Sequence, residues 1–442
     1  MTWFLKKDCE RGGELILCDF DSIVKTLYHT SVKGQLYTFK IGKSEYTNIN
    51  NMIKIDQQKI DEILSRGVEE IIVKEDLEKK LLSGKKLRIY YGIDPTGSKI
   101  HLGHAVVLQK LKEFCDLGHE VILLIGDFTA KIGDPSGRDV MRVPLSDKQI
   151  KENFKDYKKQ ASKILDFFKV KIKYNSAWLS KMKFEDILKL SEHVTVQQML
   201  HRDMFDKRIK EDLPISVSEF MYPLMQGYDS VAMDVDLEIA GSDQMFNMKI
   251  GRHLQKIYNN KDKDILTTKL LLGTDGRKMS KTYDNAIYLN DLPSDMYGKI
   301  MSIKDELIDD YVGLCTNLSL QEVKKMPNPR DQKAKLAGEI VKMYHGQKAA
   351  IEAAENFDKI FRRHETPSDI QIFETSQKTY PILDLLCDSG LAVSKNEAKR
   401  LVEGGAVEIN KKKITDWHQE ITLEEGTIIQ SGKRKFVKVK LL

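Results

Sequence analysis

The sequence predicts an α/β protein: a doubly wound parallel sheet, then a helical region, then a small α+β unit. Three observations predict it. Between residues 87 and 125 a strand, a helix and a second strand follow one another as a β-α-β unit, whose natural consequence is parallel pairing. Past residue 290 the apolar spacing turns helical, most clearly over 334–345 and 347–364. Beyond the turn formers of 365–369, a helix near 395–403 and short strands ending at 436–439 form a compact last unit.

Each part has its own local signal. The first fifty residues mix short apolar stretches with polar breaks and carry no motif, so 1–52 is read as an extension without an assigned role. From 56 to 82 the spacing of Ile60, Ile63, Leu64, Val68, Ile71, Ile72, Leu77 and Leu81 predicts helical segments. Residues 87–93 read as a strand, 103–117 as a helix with Val106, Val107, Leu108, Leu111 and Phe114 inward, and 121–125 as a buried strand. Helices with polar loops occupy 146–227, a short strand 237–240 precedes Gly241, and 270–272 looks strand-like. The division is then 1–52, a sheet domain over 53–290, a helical domain over 291–366, a linker over 367–378 and the last unit over 379–442.

Composition narrows the class. With 442 residues, 41% hydrophobic and 31% charged, the chain has the length of two or three globular domains. Its 71 basic and 66 acidic residues leave a net charge of +5, so an anionic partner must be argued from local clusters. Cys9, Cys18, Cys115, Cys315 and Cys387 are scattered and form no CxxC pair, which argues against a zinc or redox dithiol motif and fits a reducing cytoplasm. The start lacks the apolar core of a signal peptide, and no apolar run approaches the ~20 residues that cross a bilayer. The expectation is a cytoplasmic protein without a membrane segment.

The chemistry is concentrated in two motifs. The first runs from Asp94 through Thr96, His101 and Gly103 to His104, between the first strand and its helix. In a doubly wound fold this turn lies at the carboxyl edge of the sheet, where the helix points its amide groups at a bound anion. The second is Gly276-Arg277-Lys278-Met279-Ser280-Lys281-Thr282. Its two lysines and hydroxyls can surround a triphosphate and stabilise the charge on departing pyrophosphate.

An HxGH motif followed far downstream by KMSKT resembles the paired signatures of class I aminoacyl-tRNA synthetases. The stretches 90–96, 126–129, 132–138, 222–229 and 240–244 are similar, in order, to the bacterial tyrosyl-tRNA synthetases, and the likeness runs from about residue 53 onward. The resemblance implies ATP as substrate, magnesium as counter-ion, L-tyrosine and tRNA(Tyr) as further substrates, and a homodimer. It implies that Tyr90 and Asp229 bind the phenol hydroxyl, that Thr129, Asp134, Tyr222 and Gln226 take the α-ammonium, and that Gln244 approaches the carboxylate. For ATP it implies Gly92, Asp94, Thr96, His101, Gly103 and His104 at the first motif, and Gly241 and Asp243 at the ribose. Lys278, Met279, Ser280, Lys281 and Thr282, with Arg138 and Arg142, would surround the pyrophosphate. Arg138 stands where many relatives have lysine, Glu238 replaces a frequent glutamine, and Met245-Phe246 replaces a frequent Trp-Gly. Residues 394–410 resemble the S4 RNA-binding domain, with Lys395, Lys399, Arg400, Lys411, Lys412 and Lys413 as its basic surface. The region 291–366 resembles the family's helical anticodon-recognition domain.

Overall fold

The computed structural model describes residues 53–136, 145–281, 283–362, 371–432 and 435–442, together with the backbone of 28–32 and 35–39. Arg138, Arg142, Thr282 and the turn formers of 365–369 lie outside the described residues. Among the described residues of the extension, β1 (Tyr28–Val32) pairs antiparallel with β2 (Gln35–Phe39), Tyr28 opposite Phe39 and Val32 opposite Gln35.

The main sheet has six strands: β3 (Val68–Ile72), β4 (Arg88–Ile93), β5 (Glu120–Ile125), β6 (Lys171–Tyr174), β7 (Leu237–Gly241) and β8 (Asp264–Thr268), in the order β3-β8-β7-β4-β5-β6. Strands β4 to β8 pair in parallel, and β3 runs antiparallel along the outer edge of β8. Counted along the chain, the parallel strands lie 3-2-1-4-5, the doubly wound order the sequence predicts. The order reverses between β4 and β7, which opens a crevice at their carboxyl ends. Strand β5 is covered on both faces, with Val121 through Ile125 all at most 1% exposed, which explains its unbroken apolar run. The helix Leu102–Asp116 buries Leu102, Ala105, Val106, Leu108, Leu111 and Phe114 against it. Lys110 lies on the same face, because its ammonium donates to the Ile63 carbonyl at 2.9 Å and pairs with Glu113 at 2.7 Å.

Three stretches differ from the sequence expectation. Val68, Ile71 and Ile72 belong to the edge strand β3, between the helices Gln57–Ile63 and Lys74–Leu82, because these three β-branched residues find a pairing partner in β8. Residues 270–272 are not a strand; the strand is β8, which ends two residues before them, and Leu272 only makes an isolated bridge to Lys278. The short β6 lies within the region read as helices and loops.

The helices Pro293–Met301, Ile308–Cys315, Pro329–His345 and Gln347–Arg362 follow the sheet. Their Met296, Ile300, Leu336, Ile340, Tyr344 and Ala353 share one apolar core with Leu108, Leu123 and Leu266 of the sheet layer. The Arg66 guanidinium donates to the carbonyls of Val312, Gly313, Thr316 and Leu318, filling acceptors that the end of a helix leaves open. Among the described residues no helix is long and apolar enough to cross a membrane.

The last unit has a separate core of Ile382, Leu385, Ala398, Val402, Val407, Ile429, Val437 and Val439. Its main sheet uses β9 (Gln371–Thr375), β11 (Val407–Ile409), β12 (Lys412–Ile414), β14 (Ile428–Ser431) and β15 (Lys435–Leu441), ordered β12-β11-β14-β15-β9, and a separate antiparallel pair joins β10 (Thr379–Pro381) to β13 (Glu420–Thr422). Strand β9 pairs in parallel with β15, Gln371 opposite Val437 and Thr375 opposite Leu441. The span 367–378, expected as linker, therefore holds a strand of this sheet. Its short length and lack of alternating apolar residues hid it.

Candidate active site

The first motif is built where β4 meets its helix. His101 occupies the N-cap position with extended backbone (φ −99°), and the Nδ1 atom of His104 accepts from the His101 amide at 3.4 Å. The two rings stack with centroids 3.8 Å apart. Gly103 permits the stack, since a Cβ there would lie 3.1 Å from the His101 ring. Burial first, then the charges of His104 and Lys278, pushes the His101 imidazole well below its usual value; burial and Lys278 bring His104 down to about 4. Both rings are therefore neutral near pH 7. The His101 Nδ1 atom is buried without a hydrogen-bond partner, a polar atom that a ligand can satisfy. Gly92 and Thr96 lie exposed at the rim.

The pH consequence has a definite sign. An unfolded histidine titrates near about 6.5, whereas folded His104 titrates at about 4. Between these values the unfolded chain binds more protons, so stability is full above pH 6.5 and is lost as the pH falls towards 4. In a His104→Asn variant, the drop in thermal midpoint over that interval is expected to be smaller than in the parent. Equal drops in a series of melts from pH 7 to pH 4 would contradict this.

The second motif folds back onto the first. Lys278 donates to Asp243 Oδ2 at 2.8 Å, and its charge reaches both histidines. A Cβ at Gly241 would stand 2.7 Å from Asp243 Oδ1, so only glycine lets this carboxylate turn back over β7. Met279 is buried and anchors the loop, its amide donating to the Leu271 carbonyl at 3.2 Å. Buried Asn285 accepts from the Ser280 amide at 2.9 Å and donates to Asp275 at 2.7 Å. Lys281 is exposed.

Beside the first motif the residues the resemblance points to form a hydrogen-bonded polar cluster. Tyr90, on β4, is buried with its hydroxyl 2.9 Å from that of Ser230. Asp229 accepts from Trp178 Nε1 at 2.7 Å and from Asn175 Nδ2 at 3.3 Å. Burial holds its carboxyl well above the usual value, and these two donors offset only part of that rise. Asp94 accepts from the hydroxyls of Thr129 (2.7 Å) and Tyr222 (2.9 Å). Gly126 keeps that cluster together, because any side chain there would collide with Asp94 and Thr129. Gln244 donates to Asp134 at 2.7 Å, and Asn247 donates to both Gln226 and Gln244 at 3.0 Å. Gln226 donates to Glu238 at 3.1 Å, and Glu238 pairs with Lys263. Asn175, Trp178, Ser230, Asn247 and Lys263 were not singled out from the sequence. They carry no motif, and only their burial beside Asp229 and Gln226 identifies them.

The described residues contain no cluster of three or more His, Cys, Asp or Glu side chains able to hold a metal. Asp94, Asp134 and Asp243 stand singly, each already accepting from a protein donor.

In the last unit, Lys395, Lys399 and Arg400 lie on the helix Lys395–Glu403, with Lys411, Lys412 and Lys413 exposed at the β11–β12 turn. Asn410 (φ 48°) and Lys411 (φ 65°) form the two-residue turn of that hairpin. Lys395 pairs with Asp384, and Lys399 pairs with Glu403 at 3.8 Å and covers the Trp417 ring at 3.9 Å. Two of the six cations thus already have acidic neighbours.

A doubly wound sheet whose switch point holds an HxGH turn, faced by a lysine loop, defines a class I nucleotide-activating enzyme. The family description tRNA synthetases class I (W and Y) matches residues 82–362, and the tyrosine–tRNA ligase SYY-like C-terminal domain matches 363–439. The tyrosine–tRNA ligase of Thermotoga maritima is 45% identical over 386 residues, covering 85% of this chain and 96% of that protein. That of Carboxydothermus hydrogenoformans is 46% identical over 397 residues, covering 86% and 97%. The chain belongs to the tyrosine–tRNA ligases of class I. Among solved structures, a C-terminally truncated mitochondrial tyrosyl-tRNA synthetase from Aspergillus nidulans shares the fold at TM-score 0.58 and 22% identity, over 69% of this chain and 94% of that one. The tyrosyl-tRNA synthetase from Archaeoglobus fulgidus, complexed with L-tyrosine, shares it at 0.55 and 23%, over 68% and 100%.

Proposed function

We propose that this chain is a tyrosine–tRNA ligase: it activates tyrosine with ATP to the adenylate and pyrophosphate, then transfers tyrosine to the 3′ end of tRNA(Tyr). The observation that carries the reading is Lys278 meeting Asp243 beside the stacked histidines, which joins two motifs separated by most of the sheet domain. In activation, a tyrosine carboxylate oxygen attacks the α-phosphorus and the bond to pyrophosphate breaks. Such a step needs positioning and charge stabilisation more than a protein nucleophile. Thr96, His101 and His104 hold the triphosphate, Lys278 and Lys281 with Arg138, Arg142 and Thr282 meet the departing charge, and Gly241 and Asp243 hold the ribose. Tyr90 and Asp229 read the phenol; Thr129, Asp134, Tyr222 and Gln226 hold the ammonium, with Gln244 towards the carboxylate. Magnesium bound with the nucleotide would supply counter-charge to the triphosphate, and the protein would offer it only single carboxylates such as Asp94 or Asp243. Pyrophosphate exchange with each of the twenty amino acids tests the reading; exchange that depends on tyrosine alone is expected, and none with tyrosine would overturn it.

The domain division serves the second step. The helices of 291–366 serve as the anticodon layer, the S4-like unit follows the tRNA backbone with its exposed lysines and Arg400, and the enzyme acts in the cytoplasm as a homodimer with one tRNA crossing both subunits. Because β9 belongs to the last sheet, the cut that separates the two units falls after Arg362. A chain ending there is expected to keep tyrosine-dependent exchange, and to charge tRNA more slowly with a flatter salt dependence of binding. An identical salt slope in both forms would remove the last unit from tRNA recognition.

A further inference from the structure

Beneath the tyrosine pocket lies a charged pair that the activation chemistry does not use. Lys263 is fully buried and Glu238 is 2% exposed. The Lys263 ammonium donates to Glu238 Oε2 and, at 2.9 Å, to the Ser230 hydroxyl. Ser230, itself fully buried, stands 2.9 Å from the Tyr90 hydroxyl. On the other side, Glu238 Oε1 accepts from Gln226 Nε2 at 3.1 Å, while Gln226 Oε1 accepts from Asn247 at 3.0 Å. The pair therefore reaches the Gln226 end directly, and the Tyr90 end both through Ser230 and through Glu238, whose carboxylate is an acceptor beside the Tyr90 hydroxyl. Removing two charges from water costs several kcal/mol per ion unless their hydrogen bonds are well made, and a neutral pair of the same volume would fill this space. The ionic choice has another effect. An ammonium only donates, and a carboxylate only accepts. Charges at the root of a hydrogen-bond chain thus set the direction of every bond above them.

We infer that the Glu238–Lys263 pair fixes the donor and acceptor polarity of the tyrosine pocket. Lys263 donates to Ser230, Ser230 donates to the Tyr90 oxygen, and the Tyr90 hydroxyl, beside the Glu238 carboxylate while the pocket is empty, turns its proton to the phenol oxygen when the substrate binds. The phenol proton then points to Asp229, which accepts from Trp178 and Asn175 in the same cluster. Glu238, by holding the Gln226 amide nitrogen, keeps the Gln226 carbonyl oxygen, which also accepts from Asn247, as the acceptor on the side of the substrate ammonium. Ser230, Lys263 and Glu238 are positioning residues, acting through Tyr90 and Gln226. The inference rests on the reading of those two residues as part of the tyrosine pocket. It also accounts for Glu238 in place of the frequent glutamine: a carboxylate is the counter-charge that a buried Lys263 requires.

The test uses the full chain, with kcat/KM for tyrosine and for phenylalanine measured by pyrophosphate exchange in Ser230→Ala, Tyr90→Phe and the double variant. Ser230→Ala is expected to lower the tyrosine value about tenfold and to leave the phenylalanine value within about twofold, since phenylalanine has no oxygen to receive the Tyr90 proton. In the Tyr90→Phe background the Ser230 effect should vanish, as two groups acting through one contact are not additive. Equal losses for both amino acids in Ser230→Ala, or an undiminished Ser230 effect without the Tyr90 hydroxyl, would overturn the relay. The charge itself is tested by Glu238→Gln combined with Lys263→Met, which removes both ions together and leaves no unpaired charge; its tyrosine preference should narrow by a similar factor, and an unchanged preference would overturn the role given to Lys263. Should Tyr90→Phe alone leave the preference intact, the pocket assignment fails; should it narrow the preference while Ser230→Ala does not, only the relay fails.

Discussion

Replacing Lys278 with alanine is expected to slow adenylate formation by about 10²–10³-fold, while the affinity for tyrosine changes by less than about twofold. The reason is where the charge appears. Before reaction Lys278 is paired with Asp243 at 2.8 Å, and its charge adds to the burial that keeps the two histidines neutral. As the bond to pyrophosphate breaks, negative charge grows on the leaving oxygens, and a cation fixed at that point stabilises the transition state more than the bound substrates. The neutral histidines can offer a hydrogen bond but no net charge, so they cannot replace it. Pre-steady-state measurement of adenylate formation checks this. An unchanged rate, or a loss that appears wholly as weaker tyrosine binding, would show that the loop does not act on the leaving group.

Asp229→Ala is expected to lower kcat/KM for tyrosine at least a hundredfold and to narrow the preference over phenylalanine. Removing the carboxylate leaves the Trp178 and Asn175 donors without their acceptor and the substrate hydroxyl without its own. Each buried polar group stranded in this way costs about 1–3 kcal/mol. Two of the three losses act on either substrate, while the third is felt by tyrosine alone, and that difference narrows the preference. Exchange kinetics with the two amino acids separate the cases: a parallel fall in both would make Asp229 a support for Trp178 and Asn175 with no part in reading the phenol.

The sequence made the parallel core legible because β4, the helix Leu102–Asp116 and β5 each carry a strong local pattern, and an unbroken apolar run such as 121–125 fits a strand covered on both faces. It did not reveal β3, whose Val68, Ile71 and Ile72 also match a helical spacing; only pairing with β8, almost two hundred residues away, decides between the two. The same limit applies to the site. Residues in motifs, such as His101 and Lys278, could be placed by their neighbours in the chain. Trp178, Ser230 and Lys263 matter because three distant elements bring them into one cluster, and nothing in their immediate sequence records that. Arg138, Arg142 and Thr282 stay at the level of resemblance.

The strand order of the last unit also bears on how the chain is made. Strand β9 is the first of that sheet to leave the ribosome, yet its neighbour in the sheet is β15, the last to be made. Every other strand of the sheet can pair with a partner synthesised soon before or after it, whereas β9 must wait for about sixty residues of later chain, and long-range pairing of this kind is slow. Closure of the sheet therefore depends on synthesis running to β15. A chain released early, before residue 435, would carry a complete activating domain ahead of an unpaired edge strand, a feature that invites association between chains. The parallel β9–β15 pair thus ties the folding of the last unit to the completion of translation.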